Sequence, residues 1–271
     1  MQIAVAKAWE ERCGYSLEHS LACPDGVFRA VYQEAEFIKD EKTGRCRLVG
    51  TLQDVTDRRR AEQRIERLAY YHRVTGLPNR VLLKKQLREI LAEAKRSQRR
   101  VAVLSLHLEQ LKSVNDSFGH SIGDEALRQL AERMKASIGN NDSPLRAEPS
   151  TPGRSTILAH PSGDEFVVVI SEFEGAEEVA ALARRIKTAI ARPMSVYVHE
   201  LCLSCRVGIS LYPEDDEEAG RLLEHSSAAL YSAKREETNQ IRFYTAAMNE
   251  RLLQRLTLEA ELRQALGACR T

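Results

Sequence analysis

The amino-acid sequence predicts a domain of the α/β (α+β) class, a central sheet flanked by helices over residues 75–247, behind a small antiparallel meander. Three observations predict it. A nearly continuous apolar run, VAVLSL at 101–106, reads as a strand buried on both faces. A β-branched run, FVVVI at 166–170, follows a Pro-Ser-Gly-Asp turn and reads as one arm of a hairpin. Around these strands lie segments whose apolar residues recur at helical spacing, and such alternation defines the class.

The elements follow in order. Residues 3–12 read as a short helix. Residues 15–50 hold three β-leaning stretches separated by Pro24-Asp25-Gly26 and Lys42-Thr43-Gly44, which predicts three antiparallel strands. The period then changes. Asp54, Thr56 or Asp57 can cap a helix through 58–72, where Ala61, Ile65, Leu68 and Tyr71 recur at helical spacing under a cover of charge. That stretch fits a coiled coil between two chains and equally a solvated connector. TGLPNR at 75–80 is a break, a helix follows at 81–98, and the buried strand starts at Val101. Residues 115–138 read as a loop leading into a helix, with Gly123 and Asp124 at the junction, and 139–153 as an exposed loop. After these come a hairpin at 155–171, a helix at 177–191 and a pair of strands within 196–212. A helix at 219–237, a short strand at 241–244 and a final helix at 249–266 complete the chain, without internal repeats.

Hydrophobic residues at 43% and charged residues at 29% exclude a disordered chain. A net charge of +1, with no basic stripe interleaved with aromatics, argues against nucleic acid as a partner. No apolar run reaches the roughly 18 residues of a membrane span, and no basic-then-apolar signal opens the chain, so a cytoplasmic location is expected. The six cysteines are dispersed, as in a reduced compartment. Cys202 and Cys205 form a CxxC, but on a strand residues three apart face opposite ways, and no second ligand pair completes a zinc set. They read as structural.

Chemistry can sit where strand ends turn polar. The buried strand runs into His107, Glu109 and Lys112, and a hairpin tip carries Ser162-Gly163-Asp164-Glu165. Carboxylate-bearing strand ends that meet at a sheet edge are how palm-type enzymes hold paired cations for phosphoryl transfer. The glycine lets backbone approach a phosphate closely. Taken alone, Asp164-Glu165 also fits an ordinary solvated turn.

TGLPNR, LKSVNDSFGHSIGDEAL, SGDEFVVVI, VGISLYPED and AALYSAK occur in this order, and over about residues 68–245 the chain resembles the GGDEF, or diguanylate cyclase, family. The resemblance implies a palm-like, mostly antiparallel central sheet. It also implies a reaction joining two GTP molecules into cyclic di-GMP, with two subunits facing each other, hence a homodimer. It places Asn115 and Asp124 on the pair that reads the guanine edge, work suited to an amide and a carboxylate. Lys112 and Lys234 fall on phosphate-neutralising lysines. Ser162, Gly163, Asp164, Glu165 and Phe166 fall on the signature, with Ser162 replacing its first glycine. Asp164 and the backbone of Leu108 fall on magnesium ligands, Glu165 on the residue that activates the 3′-hydroxyl, and Phe166 in the core.

The departures concern charge. The family strand reads Asp-x-Asp-x-Phe-Lys; here His107 replaces the first aspartate, a metal ligand, and Glu109 replaces the second. Magnesium takes hard oxygen ligands, whereas imidazole suits zinc or copper. Glu109 lies about 6.6 Å further along the strand and cannot simply substitute. His72 stands at the family's Asp before LTGLPNR, and His160-Pro161 at its Arg-Leu before the signature. Glu237-Thr238 replace a Gly-Arg, and Gly153-Arg154-Ser155-Thr156 put the Arg-x-x-Asp inhibitory pattern out of register. These changes lead us to expect a degenerate domain that binds GTP with weak or absent magnesium, makes no cyclic di-GMP, and tunes a neighbouring phosphodiesterase. An active cyclase and a ligand-free dimerisation module are the alternatives.

LVGTLQDVTDRRRAEQ resembles the end of a PAS sensor domain, and NERLLQRLTLEAELRQAL the helix leading into an EAL phosphodiesterase domain. The expected organisation is a partial PAS segment at 1–56, a signalling helix at 57–74, the GGDEF domain at 75–247, and a helix at 248–271 leading towards an EAL partner of the same chain.

Overall fold

The computed structural model describes residues 2–24, 26–39, 45–138, 156–234 and 240–248. The expected loop at 139–153, the turn at 42–44, Glu237-Thr238 and the final helix lie outside the described residues. The chain divides into two compact units, Met1–Ala69 and Tyr70–Thr271.

In the first unit, α1 (Gln2–Glu11) precedes β1 (Tyr15–Ala22), β2 (Phe28–Lys39) and β3 (Cys46–Asp54), an antiparallel sheet in that order. Buried Ala8 and an edge-on contact of Trp9 with Phe37, ring centres 5.7 Å apart, hold α1. Asp54 caps the next helix, α2 (Thr56–Tyr70): its carboxylate accepts the Thr56 N–H at 2.9 Å. The Thr56 hydroxyl in turn accepts the Ala30 N–H at 2.9 Å, tying the helix start to β2. No residue of α2 is buried, and Ile65 and Leu68 are exposed.

The second unit begins with α3 (Arg80–Ser97), capped by the Asn79 side chain, which accepts from the Val81 and Leu82 N–H groups. Then come β4 (Val101–Glu109), α4 (Leu111–Phe118), α5 (His120–Ile138), β5 (Thr156–Ser162), β6 (Glu165–Ser171) and α6 (Ala176–Ala191). A small hairpin of β7 (Met194–Val196) and β8 (His199–Leu201) precedes β9 (Ser204–Tyr212), α7 (Ala219–Lys234) and β10 (Ile241–Phe243). The five-stranded sheet has the order β10-β9-β4-β6-β5, with β10 parallel to β9 and every other pair antiparallel. This is the mostly antiparallel, helix-flanked sheet that the sequence predicts.

Central β4 explains its own apolar run. Ala102, Leu104, Leu106 and Leu108 pack with α5 and α6 on one face, while Val101 and Val103 pack with α3 and α7 on the other. Where α7 covers the sheet, Ser105 and Ser226 share a buried hydrogen bond of 2.7 Å, and the Ser210 hydroxyl donates to the Leu222 carbonyl.

Two expectations are corrected. The polar stretch read as a loop from 115 is helical: Leu111 and Val114 are buried and anchor α4, and Gly119, at φ 88°, breaks it from α5. Gly123 and Asp124 therefore lie in the opening turns of α5. The two strands expected within 196–212 are β8 and β9, but they belong to different sheets, because Tyr197 adopts φ 52° and turns β8 back onto β7.

Gly208 marks the closest approach of α7 to β9: a Cβ there would lie 2.1 Å from the Leu230 nitrogen and 2.2 Å from the Ser226 oxygen. Both neighbours are backbone and cannot step aside. Gly208→Ala should cost about 1–3 kcal/mol of stability in urea unfolding, with the fold retained.

Candidate functional site

The candidate residues converge where β4 ends. Antiparallel register sets His107 opposite Glu165 of β6 on one side and Arg206 of β9 on the other. Between β5 and β6 the chain turns on Gly163 and Asp164, and Gly163 takes φ 59°, the left-handed conformation that tight hairpins demand. The Leu108 N–H donates to the Asp164 carbonyl at 2.9 Å, pinning this turn to the end of β4. Asp164 is half-buried, Glu165 and Ser162 are exposed, and Phe166 lies in the core.

His107 points its Nδ1 at Asp164, 3.2 Å from Oδ1. The contact is a close approach and not an aligned hydrogen bond, since that nitrogen is buried without a hydrogen-bond partner. Burial, and next the Lys234 ammonium, hold the imidazole below its ordinary pKa; Asp164, Glu165 and Glu109 oppose them. The ring is therefore neutral at physiological pH.

Glu109 is engaged elsewhere. It accepts from the Ser204 hydroxyl at 2.7 Å and from Arg206 Nε at 2.6 Å. Arg206 Nη1 also donates to the Ala233 carbonyl at 2.7 Å, next to Lys234. Burial raises the Glu109 pKa, but these hydrogen bonds and the guanidinium charge outweigh it and hold the carboxyl below its usual range. Arg206 and Ser204 escaped the sequence reading. A charge inside an apolar strand was the available signal, and only the β4–β9 register gives it a partner.

Asn115, on α4, meets the start of α5. A Cβ at Gly123 would lie 1.9 Å from Asn115 Oδ1, so only glycine lets that amide lie against the turn that carries Asp124. Lys112 is exposed on the first turn of α4 and Lys234 at the end of α7. Among the described residues, no group of three or more His, Cys, Asp or Glu side chains is arranged to hold a metal ion. The CxxC cysteines are free. Cys202 is exposed, whereas burial pushes the Cys205 thiol up to about 12, which leaves it inert. A cleft lined by Arg99, Arg100, Glu172 and Phe173 lies at the opposite end of β4 and β6, where Arg99 pairs with Glu172 and Arg100 with Glu214.

Behind the turn stands a column of three rings. His160, fully buried, stacks on His72 with centres 3.7 Å apart and on Phe166 at 4.2 Å. Burial lowers both histidines, and His160 falls to about 4, against the help of its hydrogen bond to Gly163.

The family model described as "Diguanylate cyclase, GGDEF domain" matches residues 69–240. The bifunctional diguanylate cyclase/cyclic di-GMP phosphodiesterase MucR of Pseudomonas aeruginosa is 36% identical over 207 residues, 76% of this chain and 28% of that protein. The cyclic di-GMP phosphodiesterase PdeR of Escherichia coli is 32% identical over 213 residues, 79% of this chain and 30% of its own length. The chain thus spans less than a third of these relatives. Among solved structures, the GGDEF domain of TpbB (YfiN) from P. aeruginosa is 26% identical with a TM-score of 0.60, covering 68% of this chain and 99% of that one. A sensory box/GGDEF family protein from Caulobacter crescentus is 30% identical with a TM-score of 0.54, covering 61% and 98%.

The His160 shift has a sign. The unfolded ring takes up a proton near pH 6.5 and the folded ring only near about 4, so its contribution is full above 6.5 and is lost as pH falls through that window. Between those limits the native chain should lose about 3 kcal/mol more than a His160→Phe variant, read by urea unfolding at each pH.

Proposed function

Because this chain belongs to the diguanylate cyclase GGDEF domain family, we propose that within cyclic di-GMP signalling it acts as a guanine-nucleotide-binding module that makes no cyclic di-GMP. One observation carries this reading: a neutral imidazole, His107, stands 3.2 Å from Asp164 at the sheet edge where the family pattern has a carboxylate. Magnesium seeks near-octahedral oxygen donors. Asp164 offers a carboxylate, but its neighbour on β4 is nitrogen, and Glu109 is held by Arg206 and Ser204. The donor set does not fit magnesium. Without that charge the triphosphate would face Asp164 and Glu165 with too little compensation in the transition state.

Nucleotide recognition is separable from this loss. The Asn115 amide rests against the α5 turn beside Asp124, where the two can meet donors and acceptors of a guanine edge. Lys112 and Lys234 are exposed and free to meet phosphate. We assign the control of a phosphodiesterase domain elsewhere in a longer chain as the biological task. Support comes from relatives that carry phosphodiesterase in their names and of which this chain spans only a part. In that organisation residues 1–56 are a partial PAS segment, 57–74 the signalling helix, and 248–271 the connector towards the EAL partner. A homodimer and a cytoplasmic setting belong to the same reading. No helix among the described residues is long and apolar enough to cross a membrane.

Purified protein incubated with GTP and magnesium should yield no cyclic di-GMP by chromatography; sustained turnover would return the active-cyclase alternative. His107→Asp should gain measurable synthesis if the metal edge is the main lesion. GTP should also raise the thermal midpoint, since a ligand of the folded state stabilises it. An unmoved midpoint together with no displacement of a fluorescent GTP analogue would leave the ligand-free module.

A further inference from the structure

The ring column does more than fill space. The His160 Nε2 lies 2.9 Å from the Gly163 carbonyl oxygen. A carbonyl only accepts, so Nε2 carries the hydrogen. In the neutral ring Nδ1 is then an acceptor, and the Thr75 hydroxyl, 3.1 Å away, donates to it. His72 Nδ1 is likewise an acceptor, lying 3.4 Å from the Val74 N–H. The His160 backbone N–H donates to the Pro78 carbonyl at 2.9 Å, and the 72–78 loop closes on itself through His72 N–H to Leu77 and Gly76 N–H to His72. The loop is therefore fastened to the hairpin by backbone at Pro78 and by side chain at Thr75, and the chain of bonds ends on Gly163.

We propose that His160 is a positioning residue which, through the Gly163 carbonyl, locks the turn presenting Asp164 onto the 72–78 loop, and that His72 and His160 act as one coupled unit. The chemistry requires the two to change together. His160 is fully buried and its ring lies 3.7 Å from that of half-buried His72, so a lone charge at 160 would be taken out of water. An arginine at 160 opposite a neutral His72 would bury a guanidinium with no carboxylate in the ring column to pair with it. An aspartate at 72 against a neutral His160 would lose the stack and gain no cation. Two opposite charges, or two neutral rings, are the self-consistent solutions. The proposal holds whether or not nucleotide binds.

Nitrogen-15 NMR of the full chain at pH 7 should show His160 neutral, with its hydrogen on Nε2 and a bare Nδ1. A protonated ring, or the hydrogen on Nδ1, overturns the assignment without any variant. His160→Phe, which keeps the ring stack and deletes the bonds to Thr75 and Gly163, should shift the Gly163 carbonyl carbon-13 resonance; an unmoved resonance reduces His160 to packing. His72→Asp and His160→Arg should each lower the melting midpoint by roughly 4–8 °C, and the double variant should recover at least half of the summed loss. Strictly additive losses would overturn the coupling.

Discussion

The antiparallel register between β4 and β6 is the constraint on which the site depends. It sets His107 against Glu165, and one rung on it lets the Leu108 N–H hold the Asp164 carbonyl. Because side chains alternate along a strand, a slip of one residue would turn His107 into the core and bring Leu106 or Leu108 to the edge. Burial on both faces of β4 forbids that slip: leucines on one side and valines on the other each have their own helical layer. The precision of the polar end is thus secured by apolar packing several residues away.

Against that fixed frame, several charges of the edge are linked. Arg206 neutralises Glu109 and bonds to the last turn of α7. Burial, and after it Lys234 leaving that same turn, lower the His107 pKa, and His107 faces Asp164. Glu109 thus has a cation of the protein beside it and Asp164 an imidazole, while Glu165 stays exposed. The Asn115–Gly123 contact is a separate feature, set by the close approach of the amide to the opening of α5.

Much of this was legible in the residues. VAVLSL announced a strand covered on both sides, and the Pro-Ser-Gly-Asp turn before FVVVI announced the hairpin, because both signals are local. The stretch NDSFGH misled: Asn, Asp and Ser favour loops, yet two buried apolar anchors, Leu111 and Val114, were enough to fold it as a helix. Non-local partnerships were out of reach. Nothing in RVGIS says that Arg206 meets Glu109, and His72 and His160 are 88 residues apart in the chain while their rings touch. The order of motifs pointed to the family, but contacts between motifs had to come from the fold.

The last described strand, β10, runs parallel to β9, with Ile241, Arg242 and Phe243 beside Val207, Gly208 and Ile209. Tyr244 extends the seam by donating its N–H to the Ile209 carbonyl and lying flat on His225 of α7, ring centres 4.0 Å apart. A pull along the strand axis past this point loads that seam in shear, several backbone bonds at once, rather than peeling them singly. The load passes into β9 immediately beside Arg206, the residue before Val207. Such tension and the charge at the sheet edge therefore meet on neighbouring residues of one strand.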